Sequence, residues 1–412
     1  MNDPTGRHCG RYALTVLLAV NLLNYIDRQA LYAVFPLIKV DLHLTDTALG
    51  LLGSAFMLSY MLAAPFFGRL GDRHSRSRLA AGGLLAWSLA TMLSGWAASY
   101  RLLLTARSLV GIGEASFGTV SPGLVADFFP RERRGRVLSL FFLAIPVGSA
   151  LGYVLGGALG QAFGWRTAFM LVGLPGLVLS LPLLFLAEPR RGKQTPDGGV
   201  QGERFSSTLR RFLANRTFVH STLSMAAMTF ALGGLAQWVP SFLHRTFSLD
   251  VARGNTLFGM LTVVAGIIGT LAGGWLGDRL QRTSAAGYLH ISAAGFLVGA
   301  PMAALAILSR SLPFCLGAIF AAELFLFLNT GPLNTVLVNV VAPNRRALGF
   351  AINIFAIHAL GDAVSPAIIG ALSDVWGLSA ALLITPLAIL VAAGFAFLAG
   401  RFVAEDQRAV EA

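Results

Sequence analysis

Twelve apolar stretches, each of about 20 residues or more, occupy most of this chain. Their approximate extents are 12–36, 47–70, 79–97, 102–127, 136–163, 166–187, 216–243, 254–278, 287–308, 312–342, 346–373 and 378–400. A backbone in hydrocarbon has no water to bond. Each stretch must therefore satisfy its own amides, and an α-helix does so within one segment. The expected fold is an all-α membrane protein with twelve transmembrane helices. Only 12% of residues are charged, about half the share of a soluble domain. The leading MNDPTGRHCGRY lacks a small-residue cleavage site, so the first span is expected to stay in the protein.

The net charge of +12 invites a nucleic-acid reading, but its distribution argues against one. Most of the 31 Lys and Arg residues fall in one alternate set of loops and tails. The other loops take only Lys39, Arg101, Arg166, Arg245, Arg253 and Arg310. This is the positive-inside pattern. It predicts a multi-pass protein of the cell inner membrane with both termini cytoplasmic, and it needs no nucleic-acid partner. Cys9 and Cys315 lie far apart and make neither a disulfide framework nor a metal spacing.

The chain repeats itself. GRLGDRHSR at 68–76 matches GWLGDRLQR at 274–282, FPRERRG at 129–135 resembles APNRRAL at 342–348, and GALGQAFG at 157–164 resembles GALSDVWG at 370–377. Three matches in one order indicate a duplicated six-helix unit. Such duplications are common in secondary transporters, whose substrate sites lie near the midplane between the repeats. The expected domains are a six-helix bundle at 1–187, a cytoplasmic linker at 188–215 and a second bundle at 216–412. The later part of the linker, ERFSSTLRRFLANR, alternates basic and apolar residues. It reads as an amphipathic helix on the inner surface or as a solvated basic linker.

Against this apolar background, ions inside spans stand out, each costing about 2.5–3.5 kcal/mol on insertion scales. Span one contains NLLNYIDRQAL, in which Asn21, Asn24, Asp27 and Arg28 share an arc of about 120°. Span four carries Arg107 and Glu114 on one stripe, with Glu114 about 10 Å deeper. Run from opposite faces, the two spans place Asp27, Arg28 and Arg107 at one level. Asp27 and Arg28 point about 100° apart, so each can find a partner on another helix. In span eleven, His358, Asp362 and Ser365 share a face, with Gly361 and Pro366 placed to bend the helix. His358 reads equally well as a hydrogen-bonded structural group. Glu323, Asn329, Asn334 and Asn339 interrupt span ten, and Phe230, Gln237 and Trp238 in span seven read as cavity or core. Ala144, Gly148, Gly152, Gly156 and Gly160 recur every four residues in span five, which suits close helix packing.

Several of these segments resemble a known family. The run from Gly68 through Asp72, Arg73, Arg76 and Arg78, echoed at Asp278 and Arg279, resembles the cytoplasmic signature of the major facilitator superfamily. The resemblance implies two pseudo-symmetric six-helix bundles. It also implies an inner gate network of Asp72, Arg73, Arg76, Asp278 and Arg279 with Arg133, Arg134, Arg345 and Arg346. Arg107 matches the superfamily's span-four arginine. Gly152-Tyr153 stands where the antiporter-type motif has Gly-Pro, so antiport does not follow. NYIDR, GIGEASFGTVSPGLVADFFP, AIPVGSALGYVLGG and GDAVSPAIIG together resemble the spinster-like branch. The short tails and arginine-rich composition look bacterial. Eukaryotic spinsters are linked to export of sphingosine 1-phosphate or lysophospholipids, so a lipid substrate is implied.

The expected function is alternating-access transport of an amphipathic lipid or lysolipid-like anion, coupled to a proton gradient and needing no cofactor or metal. Asp27 and Glu114 are the proton-carrying candidates. Asn24, Arg28, Arg107, Tyr153, Asn329, His358 and Asp362 are the substrate-binding candidates. The working unit is expected to be a monomer among membrane lipids. Symport of a small organic acid through the same arginines is the alternative. An uncoupled channel or lipid scramblase is the reading from a different class. The scattered histidines offer no nucleophile–base constellation for a membrane enzyme.

Overall fold

A computed structural model describes residues 4–129, 131–186, 205–342 and 345–411. Among the described residues the regular structure is helical: α1 (Pro4–Ala33), α2 (Phe35–Asp41), α3 (Asp46–Arg73), α4 (Arg76–Gly95), α5 (Tyr100–Asp127), α6 (Arg131–Phe142), α7 (Ala144–Leu184), α8 (Phe205–Ala214), α9 (Arg216–Phe247), α10 (Val251–Gln281), α11 (Gly287–Leu308), α12 (Leu312–Phe327), α13 (Thr330–Asn339), α14 (Arg346–Leu360), α15 (Ser365–Trp376), α16 (Leu378–Leu382) and α17 (Ile384–Glu411). Nine segments of the described residues are long and apolar enough to cross a membrane. One of them, Arg136–Leu184, is 49 residues long and holds spans five and six. Helices α1 and α4 form the remaining two passes. Their apolar runs are diluted by Asn21, Asn24, Asp27 and Arg28 in α1, and by Arg76 and Arg78 in α4. The twelve-span fold follows.

The helix starts are written locally. Thr45, Ser75 and Ser99 precede α3, α4 and α5, and each side chain accepts a bond from the backbone N–H three residues on. The turns echo the sequence repeat. Gly164, between spans five and six, has φ 81° and ψ 157°, and Gly377, its counterpart before span twelve, has φ 79° and ψ 157°. Positive φ at both positions is cheap only for glycine. Other spans are interrupted. Span one breaks at Val34, before Pro36. Span ten breaks at Leu328–Asn329, and span eleven between Leu360 and Ser365.

Contacts divide the chain into two compact units, Met1–Gly192 with Gln237–Val263, and Lys193–Ala236 with Val264–Ala412. The first unit thus takes in the end of α9 and the start of α10. In it α1 lies along α7, where the small-residue stripe lets the backbones touch. A Cβ at Gly152 would stand 2.7 Å from the Ile26 carbonyl oxygen, and one at Gly156 would stand 2.8 Å from Ala30 Cα. In the second unit an apolar cluster including Phe218, Phe296, Leu326, Leu333 and Ile389 forms the core. The amphipathic segment of the expected linker contains α8, while residues 187–204 lie outside the described part of the chain.

Candidate functional site

The seam between α1 and α7 sets the rotation of α1, and with it the direction of its charges. Asp27 is 2% exposed, Arg107 1% and Glu114 0%. Asp27 Oδ1 accepts a bond from Arg107 Nη1 at 3.0 Å. Its other oxygen accepts from the Thr91 hydroxyl of α4. Arg28 donates from Nε to Glu114 Oε2 at 2.6 Å. The adjacent acid and base of α1 therefore do not pair with each other. Each takes an opposite charge from α5, so two buried ion pairs cross from one helix to the next.

An aromatic shell surrounds these pairs. The Arg28 guanidinium carbon stands 5.1 Å from the ring centroids of Tyr25, Phe56 and Tyr60. The Arg107 guanidinium lies 5.7 Å from Phe56 and 5.9 Å from Phe169. Such contacts contribute about 0.5–1 kcal/mol at exposed sites and about 2 kcal/mol when desolvated. Arg28 is the accessible member, with 16% of its side chain exposed against 0% for Glu114. The site also has unspent bonding capacity. Among the described residues Glu114 Oε1, Arg107 Nε and Asn24 Nδ2 are buried without a hydrogen-bond partner. Buried polar atoms are normally satisfied, so orphans gathered around two ion pairs mark a place for a ligand, a proton or water.

The first unit holds further candidates. Tyr153 is buried with its ring edge-on to Phe258, 5.0 Å between centroids. Trp238 is buried against Phe35, and Gln237 is buried with its amide 3.5 Å from the Leu49 carbonyl oxygen. In the second unit His358 Nδ1 lies 2.8 Å from Asp362 Oδ1, across the break between α14 and α15. A Cβ on Gly233 of α9 would stand 2.4 Å from Asp362 Cβ, so α9 runs close past this break. Asn329 stands at the N-cap position of α13 without a side-chain cap bond, and its amide donates to the Leu326 carbonyl.

The basic signature residues have local partners. Arg76 donates to Asp127 at 2.8 Å. Arg134 donates to the Phe129 carbonyl, and Arg346 to those of Val338 and Val341. Asp278 accepts from the Tyr288 hydroxyl at 2.7 Å, and Arg279 lies over Trp275. Arg73 and Arg133 are exposed. The Asp72 side chain lies outside the described part.

Sequence reasoning missed several members of the site. Thr91 is one of several hydroxyls in α4, with Ser77, Ser88 and Ser94, so nothing in the sequence singles it out. Phe56, Tyr60 and Phe169 look like ordinary apolar-face aromatics. A second charged group in the first unit was also missed. Asp46, 2% exposed, takes two bonds from Arg245 at 2.6 and 2.8 Å and a further one from Lys39.

Comparison with known proteins places these residues in context. The family model of the Major Facilitator Superfamily matches residues 17–366 of this chain. Protein spinster of Drosophila melanogaster is 35% identical over 88% of this chain, which spans only 62% of that protein's length. The sphingosine-1-phosphate transporter SPNS2 of Danio rerio is 36% identical over 96% of this chain and 85% of its own. A crystal structure of a bacterial homologue of the human lysosomal transporter spinster, inward-facing and unoccupied, superposes with a TM-score of 0.88. It is 25% identical and covers 98% of this chain and 99% of that one.

Proposed function

This chain belongs to the major facilitator superfamily, in its spinster branch, and is a multi-pass membrane transporter rather than an enzyme; we propose that it moves an amphipathic, lysolipid-like anion by proton-coupled alternating access. The observation that carries the reading is the pair of crossed ion pairs, Asp27–Arg107 and Arg28–Glu114, buried inside membrane spans.

Each pair joins a group that can take up a proton to one that cannot give its own up. When a proton binds the carboxylate of Asp27 or Glu114, the acid becomes neutral and its hold on the arginine falls to that of an uncharged hydrogen bond. The arginine stays charged and is free to take a phosphate or carboxylate headgroup. When the proton leaves, the carboxylate reclaims the arginine and the headgroup is displaced. Competition for one guanidinium thus couples substrate to proton. Arg28 suits the headgroup because it is the accessible member and lies among three aromatic rings that also suit an apolar tail. The likeness to a sphingosine-1-phosphate transporter supports a lipid anion. His358, Asp362 and Asn329 bind substrate within the second bundle, and the Asp72 and Asp278 signatures serve in gating. The protein works as a monomer in the inner membrane, with both termini cytoplasmic, as its arginine distribution supports.

The test uses proteoliposomes of wild type and Asp27→Asn under an imposed pH gradient, with a lysolipid or sphingoid phosphate as cargo. Wild type accumulates cargo against its gradient, and Asp27→Asn does not. Undiminished accumulation by Asp27→Asn removes Asp27 as proton carrier. Wild-type flux indifferent to the pH gradient favours a scramblase or channel. Wild-type accumulation of small carboxylates but not lipids moves the substrate to a small organic acid.

A further inference from the structure

A groove of about 480 Å³ runs along the flank of the first unit, where α3, α4 and α5 meet. Its length follows α4 from Arg78 past Gly82 and Ala86 to Leu93, with Phe67 of α3 and Ile112 of α5 as walls. These α4 positions recur every three or four residues with their neighbours and so form one face. Gly82 opens the slot, since a Cβ there meets nothing within 4 Å. Gly82, Ala86 and Ile112 are exposed, so the slot is open along the side that faces lipid.

Its dimensions suit one kind of occupant. Fifteen residues of helix separate Arg78 from Leu93, about 22 Å at 1.5 Å per residue. One leaflet of hydrocarbon is about 15 Å deep, half of a 30 Å core. A whole acyl chain therefore fits along the slot. The lining is apolar except at one end, where Arg78 sits in the first turn of α4. Among the described residues no carboxylate is paired with the Arg78 guanidinium, whereas its neighbour Arg76 is held by Asp127. Arg69 and Arg73 are exposed at the adjoining end of α3 and add positive charge there.

We propose that this groove is a binding site for one anionic diacyl glycerophospholipid of the surrounding bilayer, with an acyl chain in the slot and the phosphodiester at Arg78. The apolar slot supplies contact that any phospholipid could use. The guanidinium supplies preference for a headgroup with net negative charge, whose phosphate lacks the internal cation of a zwitterionic lipid. This site is separate from the crossed ion pairs, and its occupant is a resident lipid rather than cargo.

Native mass spectrometry of the full-length protein tests this, using phosphatidylglycerol and phosphatidylcholine with identical chains. Wild type should keep one phosphatidylglycerol at collision energies that strip phosphatidylcholine. Arg78→Gln should erase that difference between headgroups. Gly82→Phe should fill the slot and lower retention of both lipids at least tenfold. Ala86→Phe, at another exposed groove position, should do the same and serves if Gly82→Phe is not recovered folded. Asp27→Asn, and Leu271→Phe on an exposed face of the second unit, should retain the lipid as wild type does. The proposal is overturned if Arg78→Gln keeps the headgroup preference, or if the slot-filling variant keeps wild-type retention. Loss of the lipid in Asp27→Asn also overturns it, by locating the lipid at the ion pairs.

Discussion

Arg28 Nε lies 2.6 Å from Glu114 Oε2, while the neighbouring Asp27 is bound to Arg107 on the same partner helix. Breaking a buried pair from one side costs about 3–5 kcal/mol, because the survivor keeps its charge without a counter-charge. Glu114→Gln should therefore lower thermal stability more than the double variant Arg28→Gln/Glu114→Gln. A thermal-shift double-mutant cycle measures this, and additive losses would show that the two residues are not coupled. Both variants should lose gradient-driven transport at least tenfold.

Thr91 contributes a hydroxyl to Asp27. Thr91→Val keeps the shape and removes the donor, leaving that carboxylate oxygen without its bond, at a cost of about 1–3 kcal/mol. Gradient-driven transport in proteoliposomes should fall while the size-exclusion profile stays that of wild type. Undiminished transport would detach Thr91 from the work of Asp27.

Asp46 binds both Arg245 and Lys39, and Arg245 belongs to the part of α9 that packs in the first unit. Asp46→Asn and Arg245→Gln should each lower the melting temperature. The double variant should be no worse than Asp46→Asn alone, with a coupling of about 0.5–3 kcal/mol. Independent losses in the same cycle would show that the contact is not energetically linked.

Gly152 sits against the Ile26 carbonyl, one residue before Asp27. Gly152→Leu would force α1 and α7 apart and displace Asp27 and Arg28. Size-exclusion profiles and transport assays should show poorly folded or inactive protein, whereas Phe163→Leu, on an exposed part of the same helix, should behave as wild type.

Much of the architecture was legible because its causes are local or periodic. The apolar runs mark the passes, and the GALGQAFG and GALSDVWG echo ends at the two glycines with matching positive-φ turns. Gly361 and Pro366 flagged the break in span eleven, and the i, i+4 spacing anticipated the contact of His358 with Asp362. Thr91 and the Phe56, Tyr60 and Phe169 shell were not legible. A hydroxyl or ring on an apolar face looks the same whether it faces lipid, core or ion pair. The bond between Asp46 and Arg245 was hidden for another reason. Charges at span ends look like solvated loop residues until a distant helix brings the opposite sign to them.

By itself the sequence determined that this chain crosses the membrane twelve times in two related halves. It also determined that four ions lie inside two of the spans, because hydropathy and helix rise are properties of each segment alone. Depth along the spans placed Asp27 level with Arg107. The tertiary structure alone decided that Arg28 reaches past that level to Glu114, and that each acid of the site takes the arginine of the other helix. Pairing depends on how α1 is rotated against α7 and on how far a long side chain extends across a seam. No single segment carries that information.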